Sequence, residues 1–174
     1  RRDLFSDWWH ISQNKSITWD VIQSVPEIKK NINLLAYSQN PNITWDIVKD
    51  NKKIKDSKGR GWNFGTLCAH PNITWDIIKD NSLYLNNWYS ISRNPNITPE
   101  IVRENKYFPW NYEGLSYNPS ITFEFVEENI SKGWLWGVLG KNTFDGSRRE
   151  HEKLIYLKEV ALQCRDWWYS PYNK

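Results

Sequence analysis

Three histidines, two cysteines and one recurring acid are the residues of this 174-residue chain whose types can do chemistry. His10, His70 and His151 would act as general bases or, with Cys68 and Cys164, as zinc ligands. No Cys-x-x-Cys, His–Cys or His-Glu-x-x-His spacing joins them, so the pattern assigns neither role. His70 stands where other copies of the same run carry Asn. The acids Asp20, Asp46, Asp76, Glu100 and Glu124 share one register and could line a groove with carboxylates. Each follows a threonine by two residues, where an acid complements the positive end of a helix, and that role accounts for them. No glycine-rich phosphate loop or nucleophile elbow is present. The reading is a non-enzymatic chain with no catalytic residue, no cofactor site and no metal ligand.

These residues sit in a tandem repeat. Asn40-Pro41-Asn42-Ile43-Thr44-Trp45-Asp46-Ile47-Val48-Lys49-Asp50-Asn51 returns from His70 to Asn81 and from Asn94 to Asn105. A weaker copy runs from Asn118 to Asn129, and a degenerate one opens at Asn14. Threonines 18, 44, 74, 98 and 122 mark a unit of about 24 residues with two longer linkers. The segment from Lys52 to Arg60, charged and glycine-containing, reads as an exposed loop. Thr18, Thr44, Thr74, Thr98 and Thr122 are expected N-caps, because a hydroxyl there accepts from an orphan backbone N–H. Thr98-Pro99 supports this, since proline is suited to the first helical position. Ile17, Ile43, Ile73, Ile97 and Ile121 pair with Ile22, Val48, Ile78, Val102 and Val126 as hydrophobic staples. Asn51, Asn81, Asn105 and Asn129 are expected to end these helices in the left-handed conformation.

A second short helix ends at the Ser-Xaa-Asn-Pro junction, and aligning backwards from Ser12, Ser38, Cys68, Ser92, Ser116 and Gly140 gives six copies. Its columns are Ile11, Tyr37, Leu67, Ile91, Leu115 and Leu139, and, three residues earlier, Trp8, Leu34, Phe64, Trp88, Tyr112 and Trp136. Next to them runs a mostly small column, His10, Ala36, Thr66, Ser90, Gly114 and Val138, which would let neighbouring helices approach closely. Nine of the 12 tryptophans fall into fixed columns, 19/45/75, 8/88/136 and 62/110/134, as packing residues would. Trp9, Trp167 and Trp168 do not. Helices this short are marginal alone and need stacking. The fold expected is therefore an all-α solenoid of short two-helix repeats over residues 1–145. A C-terminal capping helix and tail follow over 146–174, starting near Asp145 or Ser147, the whole forming one continuous unit.

Partner class follows from charge and from the variable columns. With 23 Lys plus Arg against 20 Asp plus Glu, the net charge of +3 favours no partner. Lys49, Lys79 and Arg103 form a basic column that a nucleic acid could follow, the alternative reading, but Asp50, Asp80, Glu104 and Glu128 run beside it. Neither an 18-residue apolar stretch nor a signal-peptide core occurs in the sequence. With only two cysteines, an intracellular location is expected. The columns that vary between copies lie four residues apart on the second helix and carry Trp9, Tyr89, Arg93 and Tyr117. These types anchor protein interfaces, so they are the candidate partner face.

The Ser-Xaa-Asn-Pro-Asn-Ile-Thr-Trp-Asp-Ile-Val pattern, followed by a tryptophan-containing second segment, resembles tandem repeats of giant DNA viruses, the mimivirus-like and related groups. The resemblance covers residues 6–142 and departs at Lys15-Ser16, Pro99 and Phe123. It implies a viral origin and brings no established activity and no catalytic residues with it. The repeats and the lack of a catalytic constellation lead to the expectation of a protein-interaction scaffold, in host cytoplasm, nucleus or virion.

Overall fold

The computed structural model describes residues 7–139 together with residues 155, 156, 158, 159 and 162. Among the described residues every regular element is an α-helix. The chain divides into two compact units, Arg1–Asn87 and Trp88–Lys174. The first holds α1 (Trp8–Gln13), α2 (Trp19–Ser24), α3 (Pro26–Asn31), α4 (Leu34–Tyr37), α5 (Trp45–Asp50), α6 (Phe64–Cys68) and α7 (Trp75–Asp80). The second holds α8 (Trp88–Ser92), α9 (Pro99–Glu104), α10 (Tyr112–Leu115), α11 (Phe123–Glu128) and α12 (Trp136–Leu139). None exceeds six residues, under two turns.

Helices α2, α5, α7, α9 and α11 each begin directly after a repeat threonine. The Oγ1 atoms of Thr18, Thr44, Thr74, Thr98 and Thr122 accept from the backbone N–H of Val21, Ile47, Ile77, Ile101 and Phe125 at 3.3–3.4 Å. Behind the caps Ile43, Ile73, Ile97 and Ile121 are buried with Val48, Ile78, Val102 and Val126. The far ends differ from expectation. Asn51, Asn81, Asn105 and Asn129 keep φ between −118° and −127° instead of turning left-handed. Each folds its side chain back, and Nδ2 donates to the carbonyl four residues earlier at 2.8–2.9 Å. The amide thus satisfies an orphan carbonyl that a left-handed cap would have satisfied with backbone.

The second helix of each repeat is α1, α4, α6, α8, α10 or α12, and α1, α4, α6 and α10 are capped by an Asn or Asp outside the columns described above. Asp7, Asn33, Asn63 and Asn111 accept from the N–H three residues on. Three of them also tie one copy to the previous one: the N–H of Asn33, Asn63 and Asn111 donates to Oγ of Ser12, Ser38 and Ser92 at 2.9–3.0 Å. Leu135 does the same to Ser116. Ser38 and Ser116 in turn donate to the carbonyls of Leu34 and Tyr112.

The asparagine of the junction completes the tie. Asn40 Nδ2 donates to the carbonyls of Ser12, Asn14 and Ile17 at 2.8, 2.9 and 3.1 Å. In the second unit Asn118 Nδ2 meets those of Ser92, Asn94 and Ile97 at 3.0, 2.9 and 2.8 Å. Both asparagines are fully buried. The tryptophans of column 62/110/134 act in a related way. Their indole N–H groups donate to the carbonyls of Asn51, Asn105 and Asn129 at 2.9 Å, which fixes each linker against the helix before it.

Second helices also pack on one another, α1 on α4 and α8 on α10. Gly114 permits the latter: a Cβ there would lie 2.5 Å from the Tyr89 carbonyl oxygen and 3.0 Å from Ser92 Cβ.

Two segments depart from the expected plan. The first long linker contains α3, an extra helix entered through Pro26 with Glu27 in its first turn and Lys29 and Lys30 in its last. These are helix-end signals, although the N-cap residue, Val25, makes no side-chain cap. The loop 52–60 is not wholly solvated: Asp56 is buried and accepts from the backbone N–H of Lys58 and Arg60 and from Arg60 Nε. Gly59 supplies the positive φ, +75°, that this turn needs. The expected C-terminal capping helix lies mostly outside the described residues, among which 155, 156, 158, 159 and 162 are helical and exposed.

Gly114→Ala should destabilise the chain by about 1–3 kcal/mol, because a backbone oxygen must move. Gly137→Ala, where a Cβ meets nothing within 4 Å, should be neutral or stabilising by about 0.5–1 kcal/mol. Asn118→Ala strips three buried carbonyls of their donor and should cost roughly 3 kcal/mol. Urea unfolding midpoints of the three variants check all of these.

Candidate interaction surface

The close approach at Gly114 also assembles an exposed cluster. Tyr89 lies on α8, Arg93 one residue past its end, and Tyr117 two residues past α10. The Arg93 guanidinium carbon sits 5.4 Å from the Tyr89 ring centroid and 4.8 Å from that of Tyr117. Both tyrosines stay exposed, at 38% and 45%. A planar guanidinium resting on two rings is held in place without an ion pair and keeps its N–H edges available. The structure therefore brings three of the four candidate face residues together. The fourth, Trp9, is 41% exposed on α1 in the first unit. There the same variable columns are linked by a hydrogen bond from Gln13 Nε2 to Gln39 Oε1 at 2.9 Å. Trp167 and Trp168 lie outside the described residues.

The basic column is largely compensated. Lys79 pairs with Asp76 at 2.9 Å. Arg103 reaches Glu100 at 3.3 Å and grips both oxygens of Glu128 at 2.9 and 3.0 Å. Its hydrogen bonds to Glu128 hold its pKa above the ordinary range. Lys49 is exposed.

His70 occupies the buried asparagine position, 7% exposed. Its Nδ1 accepts from Asn72 N–H at 3.1 Å, as Asn40, Asn94 and Asn118 Oδ1 accept from residues 42, 96 and 120. Burial pushes its pKa below the usual histidine value, against a smaller opposing effect from a hydrogen bond with the Asn40 backbone. It is a neutral structural imidazole standing in for an amide. Burial raises the pKa of the Cys68 thiol, which disfavours the nucleophilic thiolate. Cys164 and His151 lie outside the described residues. Among the described residues there is no grouping of three or more His, Cys, Asp or Glu able to hold a metal, and no helix long and apolar enough to cross a membrane.

A feature that sequence reasoning missed is a groove of about 530 Å³ in the second unit, between α9, the 106–110 turn and the end of α11. Phe108, Trp110, Tyr112 and Phe125 line it with Lys106, Lys132 and the paired Arg103 and Glu128. Its signal in the sequence is weak, because the turn after each first helix varies from copy to copy in length and in type.

No family model, curated protein or solved structure matches this chain. Its own geometry is therefore the basis for any functional reading.

The His70 environment predicts a pH effect with a defined sign. With the folded pKa depressed, the unfolded chain takes up a proton that the folded chain refuses. This contribution is fully present above the unfolded value of about 6.5 and is lost as pH falls below it, at no more than about 1.4 kcal/mol per pH unit. His70→Asn should flatten the stability profile below about pH 6.5 relative to wild type. Parallel urea titrations at several pH values check this.

Proposed function

We infer that the chain is a non-enzymatic scaffold, a solenoid of two-helix repeats whose variable columns bind a protein partner. The observation that carries the reading is the Tyr89–Arg93–Tyr117 cluster: three exposed residues of interface-anchor type, from two successive repeats, already ordered against one another. Preordering matters because an anchor fixed before contact loses little entropy on binding. The neighbouring polar atoms of the repeat junction are consumed by the fold, which leaves recognition to the varying columns. The likeness of the repeats to those of giant DNA viruses supports a viral protein that contacts a host or viral partner. Trp9 would extend the same kind of surface on the first unit.

The ion pairs made by Lys79 and Arg103 count against the basic column as a phosphate track, since a phosphate would have to displace carboxylates already in place.

Affinity purification from virus-infected cells with wild type and with a Tyr89→Ala, Arg93→Ala, Tyr117→Ala triple variant tests the reading. The side chains are exposed, so circular dichroism should be unchanged. Recovery of a specific partner should fall by about tenfold or more. Arg93→Lys, which keeps the charge and loses the planar stack, should weaken recovery too. Equal recovery by wild type and triple variant overturns the assignment of this face.

A further inference from the structure

The groove of the second unit combines lysines with aromatic rings in one concave site. Arg103, at its edge, is fully engaged by Glu100 and Glu128. Lys106 and Lys132 line the same groove and form no ion pair among the described residues. Lys132 Nζ stands 5.7 Å from the Tyr112 ring centroid, inside the groove, and Lys106 Nζ 5.6 Å from that of the exposed Tyr107. Lys106 and Lys132 border, beside the mutually neutralised Arg103–Glu128 pair, an aromatic floor that includes Phe108, itself 40% exposed and stacked on Trp88 at 5.2 Å. The volume of about 530 Å³ suits a small organic ligand, not a folded domain.

The geometry points to a binding site for a phosphate monoester carried on a planar ring, a mononucleotide in chemical class. A phosphate monoester near neutral pH carries about −1.5 to −2 charges, which matches two free ammonium groups where a carboxylate would leave one unanswered. Lysine, as a compact point charge, suits phosphate without demanding the fixed fork geometry of arginine. The flat base of a nucleotide has a π-face that can rest on Phe108 or Tyr112, and such stacking tolerates any base. The same chemistry is offered by a free nucleotide and by the 5′-phosphorylated end of a single strand. The site is separate from the Tyr89–Arg93–Tyr117 cluster and does not depend on it.

Calorimetric titration of the full chain with adenosine monophosphate, adenosine, inorganic phosphate and a 5′-phosphorylated single-stranded oligonucleotide tests the proposal. The monophosphate should bind saturably, and adenosine or inorganic phosphate at least about tenfold more weakly. Lys106→Ala, Lys132→Ala and Phe108→Ala alter exposed side chains and should each weaken binding by about tenfold, whereas Arg93→Ala should leave it unchanged. If the 5′-phosphorylated strand binds as well as the monophosphate and its unphosphorylated form does not, the proposal holds with a strand end as the source. Absence of saturable binding by either phosphorylated ring compound overturns it. So does binding insensitive to both lysine substitutions, or inorganic phosphate binding as tightly as the nucleotide.

Discussion

The structure depends on one side-chain amide meeting three backbone carbonyls. Helices of four to six residues cannot form alone, since nucleation costs more than so few hydrogen bonds return. Their ends are therefore the problem the fold has to solve: almost every backbone group in such a helix is an end group. Asn40 and Asn118 gather carbonyls of the preceding copy, while Ser12, Ser38, Ser92 and Ser116 receive the N–H that opens a following helix. Polar atoms that would be orphaned in one copy become the attachment points for the next. The serines and asparagines involved are buried, where a satisfied polar network is strong and a broken one costly.

Hydrophobic packing then fills what the polar joints hold in place. The capped isoleucines and valines form one seam, and the tryptophans serve a double purpose. Trp62 and Trp134 are buried, and each, like the half-buried Trp110, spends its indole N–H on the carbonyl of a helix-ending asparagine. A ring of that size is worth several kcal/mol of burial, at roughly 25 cal/mol per Å² over about 200 Å². Tyr37 shows the limit of the scheme: it packs against Trp19 and Trp62, but its hydroxyl has no partner, and burial raises its pKa to about 12.

Much of this is legible in the sequence because the repeat turns weak local signals into columns. One Ile-Thr-Trp-Asp run is a modest helix-start signal, and three such runs in register with Ile97-Thr98-Pro99-Glu100 and Ile121-Thr122-Phe123-Glu124 locate the first helix of five copies. The second helix is legible from its apolar spacing of three. Its Asn caps, by contrast, are not, because Asn at the start of a four-residue helix looks like any loop residue until its N–H is seen meeting a serine from the copy before. The backbone of the helix-ending asparagines is equally hidden, since composition cannot tell an amide that folds back on its helix from one that turns the chain. Helix α3 lies within an irregular linker, where no column exists to amplify Pro26-Glu27. Of the candidate face, Tyr89, Arg93 and Tyr117 are legible as variation, but their stacking requires the closeness that Gly114 allows. The groove is hard to read because the turn residues that close it, Lys106, Phe108, Pro109 and Lys132, differ from copy to copy, although Val102, Trp110, Tyr112 and Asn129 stand in repeat columns.

The joint between copies has a consequence for how such a chain can change. Its acceptors, apart from the serine hydroxyls, are main-chain carbonyls, which every residue type supplies. A copy therefore does not have to be matched, side chain by side chain, to its neighbour; it needs only a few polar groups at the junction, a serine and an asparagine in most copies and Cys68 and His70 in one. That decouples inheritance of the architecture from inheritance of the surface. Whole copies can be duplicated, lost or recombined in frame while their outward columns drift independently. His70, which accepts from the same downstream backbone position through a ring nitrogen, marks how far even the junction itself can wander and still close.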